Sequence, residues 1–159
     1  MADGRGRSLA TRITPGQAAD TRQLVALLDR ISVARPGGAG RPRKRPDSVT
    51  ADKAYSSRAN RAALRARGIV AVIPQPKDQI ANRARKGSRG GRPPGFDPDR
   101  YKNRNQVERG FGRRKHWRGM ATRFDKLACS YQATLNLVET LDWLRSVPDG
   151  IIQDPRVRP

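Results

Sequence analysis

The sequence predicts an α/β fold organised around one β-α-β unit, and three observations carry that reading. Asp47-Ser48-Val49-Thr50-Ala51 reads as a strand that stops at Asp52. Ser56 or Ser57 caps a helix that runs to Arg67, with Gly68 at its end. Ile69-Val70-Ala71-Val72-Ile73 is an unbroken apolar run halted by Pro74, the pattern of a buried strand. A carboxylate at the C-terminal end of a strand, as at Asp52, stands on the edge where open α/β sheets gather their ligands.

The other elements follow in order. Asp3-Gly4-Arg5-Gly6 is turn chemistry, and the alternation of Ser8-Leu9-Ala10-Thr11-Arg12-Ile13-Thr14 predicts a strand that Pro15-Gly16 ends. A hairpin turn at residue 3 has no preceding strand to pair with, which suggests a chain that starts in mid-fold. With Asp20 as N-cap, Leu24, Val25, Leu27, Leu28 and Ile31 keep the rhythm of an amphipathic helix. Residues 35–46 are a Gly/Pro/Arg run, expected to be a basic loop without helix or strand. Residues 83–95 predict a second basic loop, with Arg83, Arg85, Lys86, Arg89 and Arg92 among glycines and prolines. A long helix is expected from about Asp99 to Trp117 and a last one from Ser130 to Ser146, carrying Leu135, Leu137, Val138, Leu141 and Leu144. Residues 148–159 form a C-terminal tail.

Composition bounds the partner more tightly than the fold. The 159 residues suffice for one domain. Hydrophobic residues are 35% of the chain, against roughly 45–50% in soluble domains, so a large self-sufficient core is not expected. The 34 Lys and Arg against 14 Asp and Glu leave a net charge of +20, which favours a polyanion, nucleic acid first. The single cysteine, Cys129, excludes an internal disulfide and a cysteine-only zinc site, and reads as a small packing residue at the start of a helix. His116 is the one histidine, and nothing near it supplies a nucleophile elbow. Trp117 and Trp143 read as packing residues rather than base-stackers. No apolar run approaches the ~20 residues of a membrane span, and Met1-Ala2-Asp3-Gly4 lacks an apolar signal region. The expectation is a soluble cytoplasmic protein, associated with the nucleoid and not with a membrane.

The segment richest in chemistry runs from Tyr101 to Lys115. On a continuous helix Tyr101, Arg104, Glu108 and Lys115 share a stripe roughly 60° wide. Val107 and Phe111 fall beside it, at the border of the buried face. A carboxylate flanked by Arg and Lys at the edge of a core suits a phosphate-and-metal site. The plainer reading is an ordinary i, i+4 ion pair between Arg104 and Glu108, worth a few tenths of a kcal/mol.

Tyr101, Arg104, Glu108 and Lys115 match, at every spacing, the Y-x2-R-x3-E-x6-K signature of IS4-like DDE transposases. The chain resembles the C-terminal part of the catalytic domain of an insertion-sequence transposase of the IS5 group within that class. Ala51-Asp52-Lys53-Ala54-Tyr55 resembles the family's second-aspartate motif. The Asp3-Gly4-Arg5-Gly6 turn, Thr14-Pro15-Gly16-Gln17, Gly87-Ser88-Arg89-Gly90-Gly91-Arg92-Pro93 and Trp117-Arg118-Gly119 also look familial, so that the resemblance covers nearly all of residues 3–145.

The resemblance implies an RNase H-like mixed sheet with flanking helices, truncated at its N-terminus by loss of the first strand, over residues 1–147. It implies metal-dependent strand cleavage and transfer at transposon ends. Asp52 and Glu108 would be catalytic and metal-binding residues, the second and third acids of a site for two Mg²⁺ or Mn²⁺ ions, whose hard character suits carboxylate oxygens. Lys115 would hold a phosphate of the transposon end, Arg104 would steer Glu108 or touch the DNA, and Tyr101 would pack beside the site or reach a phosphate, with Arg83, Arg85, Lys86, Arg89 and Arg92 adding DNA contacts. The family's first aspartate lies upstream of the turn at Asp3, and Asp3 itself is given no catalytic role. The chain by itself is therefore expected to show no measurable transposition. It would be a remnant, or the downstream frame of an element joined by frameshifting. Its partners would be transposon-end and target DNA, a homodimer mate, or the product of an upstream frame.

A reading from another class is a non-catalytic basic nucleic-acid-binding protein. It accounts for the charge and the two basic loops, but not for the four-residue signature or for Asp52 at a strand end. In either case about six neutralised phosphates would give a salt slope near −5.

Overall fold

The computed structural model describes residues 1–35, 38, 40–122 and 125–146. The expected tail at 148–159 lies outside the described residues. The chain forms two compact units: Thr14–Asn105, and Met1–Ile13 together with the part from Gln106 onward.

The unit from Thr14 to Asn105 holds the sheet. Its strands are β1, Ser48–Thr50, and β2, Val70–Val72, paired in parallel with Ser48 opposite Val70 and Thr50 opposite Val72. Helix α2, Arg58–Ala66, makes the crossover. Ser57 starts it by accepting the Asn60 N–H at 3.1 Å. Gly68, at φ +64°, ends it, with Ile69 N–H bonding the Leu64 carbonyl and Gly68 N–H the Arg65 carbonyl, both at 2.9 Å. Leu64, Val72 and Ile73 are fully buried, joined by Val49, Ile69 and three residues from the preceding segment: Leu24, Leu28 and Ile31. The β-α-β unit thus stands as expected, except that β2 is not buried throughout: Val70 faces solvent.

Three neighbouring expectations are corrected. The helix expected from Asp20 begins instead as a 3-10 turn, Asp20–Gln23, and continues as α1, Leu24–Asp29. Its N-cap is Ala19, with no capping side chain. The basic loop at 35–46 is not wholly irregular, since Val33 and Arg43 exchange antiparallel backbone bonds at 2.8 and 2.9 Å. The second basic loop is partly helical. Helix α3, Lys77–Arg85, runs into it, and Gly87–Gly90 adds a 3-10 turn. Charge does not oppose a helix here, because Asp78 at its start and Arg83 and Arg85 at its end complement the helix dipole.

In the other unit, Ala2 and Ser8 form an antiparallel bridge around the turn at Asp3. Thus the turn does have a preceding partner, but 8–14 is no strand: Leu9 and Ala10 both donate to the Met1 carbonyl, and no ladder develops beyond it. Asp3 closes the turn. Its Oδ1 accepts the Arg5 and Arg7 N–H groups at 2.9 Å, and its Oδ2 meets Arg7 Nε at 2.8 Å. Burial works to raise the Asp3 pKa, but these bonds outweigh it and hold the carboxyl below its ordinary 3.8.

Helices α5, Asn105–Lys115, α6, Arg118–Thr122, and α7, Ala128–Arg145, complete this unit. Trp143 Nε1 donates to the Ser8 carbonyl at 2.6 Å, and the Arg7 guanidinium stands 4.2 Å from the Trp143 ring centre. Arg113 donates to the Gly6 carbonyl and to both carboxylate oxygens of Asp142. Val138 and Met120 are buried, whereas Leu137 and Leu144 of α7 are exposed. Cys129 is exposed as well, so it is not the packing residue expected. Among the described residues, no helix is long and apolar enough to cross a membrane.

Candidate active site

Asp52 stands where the strand pattern places it. The ladder runs on through Ala51, whose N–H meets the Val72 carbonyl at 3.4 Å, and Asp52 follows at the C-terminal end of β1. It caps a 3-10 turn, Lys53–Tyr55, by accepting the Ala54 N–H on Oδ1 at 2.9 Å. Asp52 is exposed, and Oδ2 takes no hydrogen bond among the described residues. The phenol of Tyr55 is pushed above its ordinary value, chiefly by burial and then by the charges of Asp20 and Asp52.

Side chains beneath this turn lock it to the sheet. Arg61 of α2 donates through Nη2 to the Ser56 hydroxyl at 3.0 Å and to the Ile73 carbonyl at 2.7 Å. The Ser56 hydroxyl in turn donates to Gln79 Oε1 at 3.0 Å. Asn60 Nδ2 donates to the carbonyls of Tyr55 and Thr21, each at 3.2 Å. The turn after β1 and the residue after β2 are therefore held by one guanidinium. Burial lowers the Arg61 pKa, and its Nε is buried without a partner among the described residues. Neither Arg61 nor Asn60 was expected from the sequence. Their acceptors are carbonyls and a hydroxyl distant along the chain, and no local pattern announces them.

The signature segment is not one helix. Helix α4, Pro98–Lys102, starts where Asp97 Oδ1 accepts the Asp99 and Arg100 N–H groups at 3.0 Å, and it stops at Asn103. Asn103 and Arg104 bond back three residues, to Arg100 and Tyr101, and α5 begins at Asn105. Two asparagines of poor helix propensity flank this break. The single expected stripe is thus replaced by two pairs. Tyr101 and Arg104 belong to the Thr14–Asn105 unit, with the guanidinium 5.7 Å from the ring centre and Phe96 on the same ring at 5.3 Å. Glu108 and Lys115 belong to the other unit, both exposed on α5, seven residues and so about two helical turns apart. Glu108 in the first turn and Arg113, Arg114 and Lys115 in the last suit the helix dipole.

The remaining expected DNA contacts are basic side chains of one segment. Arg83 and Arg85 end α3, Lys86 and Arg89 lie at the 3-10 turn, and Arg92 follows in irregular backbone. Gly90 packs so closely on Arg83 that a Cβ there would strike the Arg83 carbonyl. That contact folds the turn back on the helix.

Residues 1–136 match the transposase DDE domain family. The chain belongs to that family. A protein of Burkholderia cepacia named "Putative transposase for insertion sequence element IS402" is 35% identical over 137 residues, which is 86% of this chain and 57% of that protein. The chain thus spans little more than half the length of this curated relative. No solved structure matches it. Membership favours a transposase over the non-catalytic reading, since it accounts for the signature as well as the charge.

DDE transposases use divalent metal, and the donor chemistry here is of the right kind: Asp52 and Glu108 offer hard carboxylate oxygens. The number of donors falls short. Among the described residues, no three His, Cys, Asp or Glu side chains gather into a group that could hold a metal ion.

Proposed function

We propose that residues 1–147 carry a portion of the RNase H-like catalytic domain of an insertion-sequence transposase of the IS5 group, in the IS4-like class, acting in DNA strand cleavage and transfer at transposon ends. The observation that carries this is the position of Asp52. It follows β1 of a parallel β-α-β unit, on a turn locked to the sheet by Arg61, in a chain of the transposase DDE domain family. Asp52 and Glu108 are the second and third acids of the site and would hold Mg²⁺ or Mn²⁺. A metal held by these carboxylates would supply charge neutralisation at the reacting phosphate. Lys115 holds a phosphate, the Tyr101–Arg104 pair contacts the DNA, and Arg83, Arg85, Lys86, Arg89 and Arg92 add backbone contacts. Transposon-end and target DNA are the partners, together with a second copy or an upstream-frame product, in the cytoplasm at the nucleoid.

The test is Mn²⁺ titration, followed by electron paramagnetic resonance, of the parent chain and of Asp52→Asn and Glu108→Gln. The expected result is weaker Mn²⁺ binding in each variant, while affinity for DNA holds or rises as a negative charge is lost. Equal Mn²⁺ binding by parent and variants would remove the site assignment.

A further inference from the structure

The unit Thr14–Asn105 contains a cavity of about 360 Å³ that no residue of the signature lines. Its floor is apolar, formed by Leu28 at the end of α1 and Ile69 before β2, 3% and 5% exposed. Its rim is charged: Asp29, Lys44, Arg45 and Arg67. Asp29 and Arg67 neutralise each other across 2.9 Å. Arg45 lies over Gly68, with Nη1 3.5 Å from the Arg67 carbonyl and 3.2 Å from where a Cβ at Gly68 would stand. Only glycine suits that spot, since its φ is +64° and a side chain would push the guanidinium away. Neither Lys44 nor Arg45 has a carboxylate partner among the described residues, so the rim keeps two uncompensated cations over an apolar floor.

The location matters. Ile69 immediately precedes β2 and Arg45 precedes β1, so the cavity lies at the N-terminal ends of both strands, whereas Asp52 lies beyond the C-terminal end of β1. The cavity and Asp52 occupy opposite edges of one sheet. A volume near 360 Å³ falls at the small end of the roughly 300–1,000 Å³ of small-molecule sites. Leu28 and Ile69 belong to the core and close the base of the cavity, so what a ligand meets there is the pair of cations at the rim.

We propose that this cavity receives one backbone phosphate of nucleic acid, with Lys44 and Arg45 on the phosphate oxygens and the closed base of Leu28 and Ile69 keeping the two cations at its rim. The nucleic-acid source, rather than a free nucleotide, follows from the net charge of +20 and from Arg41, exposed on the same basic segment. The inference rests on the reading of DNA as partner, and it adds a second DNA contact on the sheet edge away from Asp52.

The experiment uses the whole chain and a fluorescein-labelled 20-nucleotide DNA strand of arbitrary sequence, read by anisotropy across a salt series. Three variants are compared with the parent: Lys44→Ala with Arg45→Ala, a control pair Arg22→Ala with Arg58→Ala, and Asp29→Asn. The cavity pair is expected to lose about tenfold in affinity, clearly more than the control, and to flatten the salt slope by about one. Asp29→Asn frees Arg67 and is expected to tighten binding a few-fold. No binding by the parent at low salt would sink the DNA reading and the cavity with it. Salt-dependent binding by the parent with equal losses in cavity and control pairs would leave the DNA reading standing and overturn the cavity. Thymidine monophosphate bound by the parent and lost in the cavity pair, with strand affinity unaltered, would assign the cavity to free nucleotides and overturn the nucleic-acid source.

Discussion

Gly110 of α5 lies against Gly6 of the N-terminal turn, so that a Cβ added at Gly110 would stand 3.1 Å from the Gly6 carbonyl oxygen. That oxygen cannot easily retreat, because Arg113 Nη2 holds it at 3.1 Å while gripping Asp142. Two glycines thus set how closely the turn approaches the helix that carries Glu108. Gly112, two residues on, has nothing within 4 Å of such a Cβ.

Alanine at these two positions should therefore act in opposite directions. Gly112→Ala is expected to stabilise by about 0.5–1 kcal/mol, the ordinary helix gain. Gly110→Ala should destabilise despite the same intrinsic gain. Urea unfolding followed by circular dichroism checks the order. A Gly110→Ala variant as stable as Gly112→Ala would show that the turn yields.

Asp3 ties the same turn to pH. Its folded pKa lies below the unfolded value near 3.8, so its contribution is complete above that value and is lost as pH falls through the lower folded pKa. Fluorescence of Trp143 in a Trp117→Phe background reports on the Ser8 contact. It is expected to hold steady down to about pH 4 and to change below it. Asp3→Asn should be destabilised at neutral pH by about 1–3 kcal/mol, because the charge-assisted bonds to Arg7 go, and should lack this acid step.

Asp52 allows structure and chemistry to be separated. Asp52→Asn keeps an oxygen for the Ala54 N–H, whereas Asp52→Ala removes the cap at a cost of about 1 kcal/mol. Thermal unfolding should thus distinguish the two variants. Metal binding should not, since both lack the carboxylate. If Asp52→Asn retained parental Mn²⁺ binding, the carboxylate would be only a cap.

The core of the sheet unit should be sensitive in proportion to burial. Leu64→Ala removes a fully buried side chain between α2 and the strands and is expected to cost about 2–5 kcal/mol. Val70→Ala, on a residue 52% exposed, should cost well under half of that. Equal midpoints in urea would show that α2 does not cover the sheet in solution.

How much of this was legible depended on how local each cause is. The Ser57 cap, Gly68 at the helix end and the apolar run before Pro74 act within a few residues, and β1, α2 and β2 emerged from them together with Asp52. The break at Asn103 was missed because an unbroken helix and a tighter turn differ there by only a few backbone bonds. The reach of α3 to Arg85 was hidden by reading charge and nearby glycines as loop. Arg61 and the cavity residues Asp29, Arg45 and Arg67 were out of sight for a different reason: they meet partners from other segments, and a single sequence does not show those pairings. Exposure of Cys129 and Leu137 was likewise decided by packing and not by residue type.

The interruption at Asn103 and Arg104 has a bearing on how length changes in this region would be felt. In an unbroken helix one inserted residue turns everything downstream by about 100°. Across a turn that rotational phase is reset, so an insertion between Tyr101 and Asn105 would not impose this fixed rotation on α5, within which Glu108 and Lys115 keep their common face. An insertion between Glu108 and Lys115 would swing them apart. The spacing of the second pair is therefore rigid by geometry, and that of the first is set by the turn.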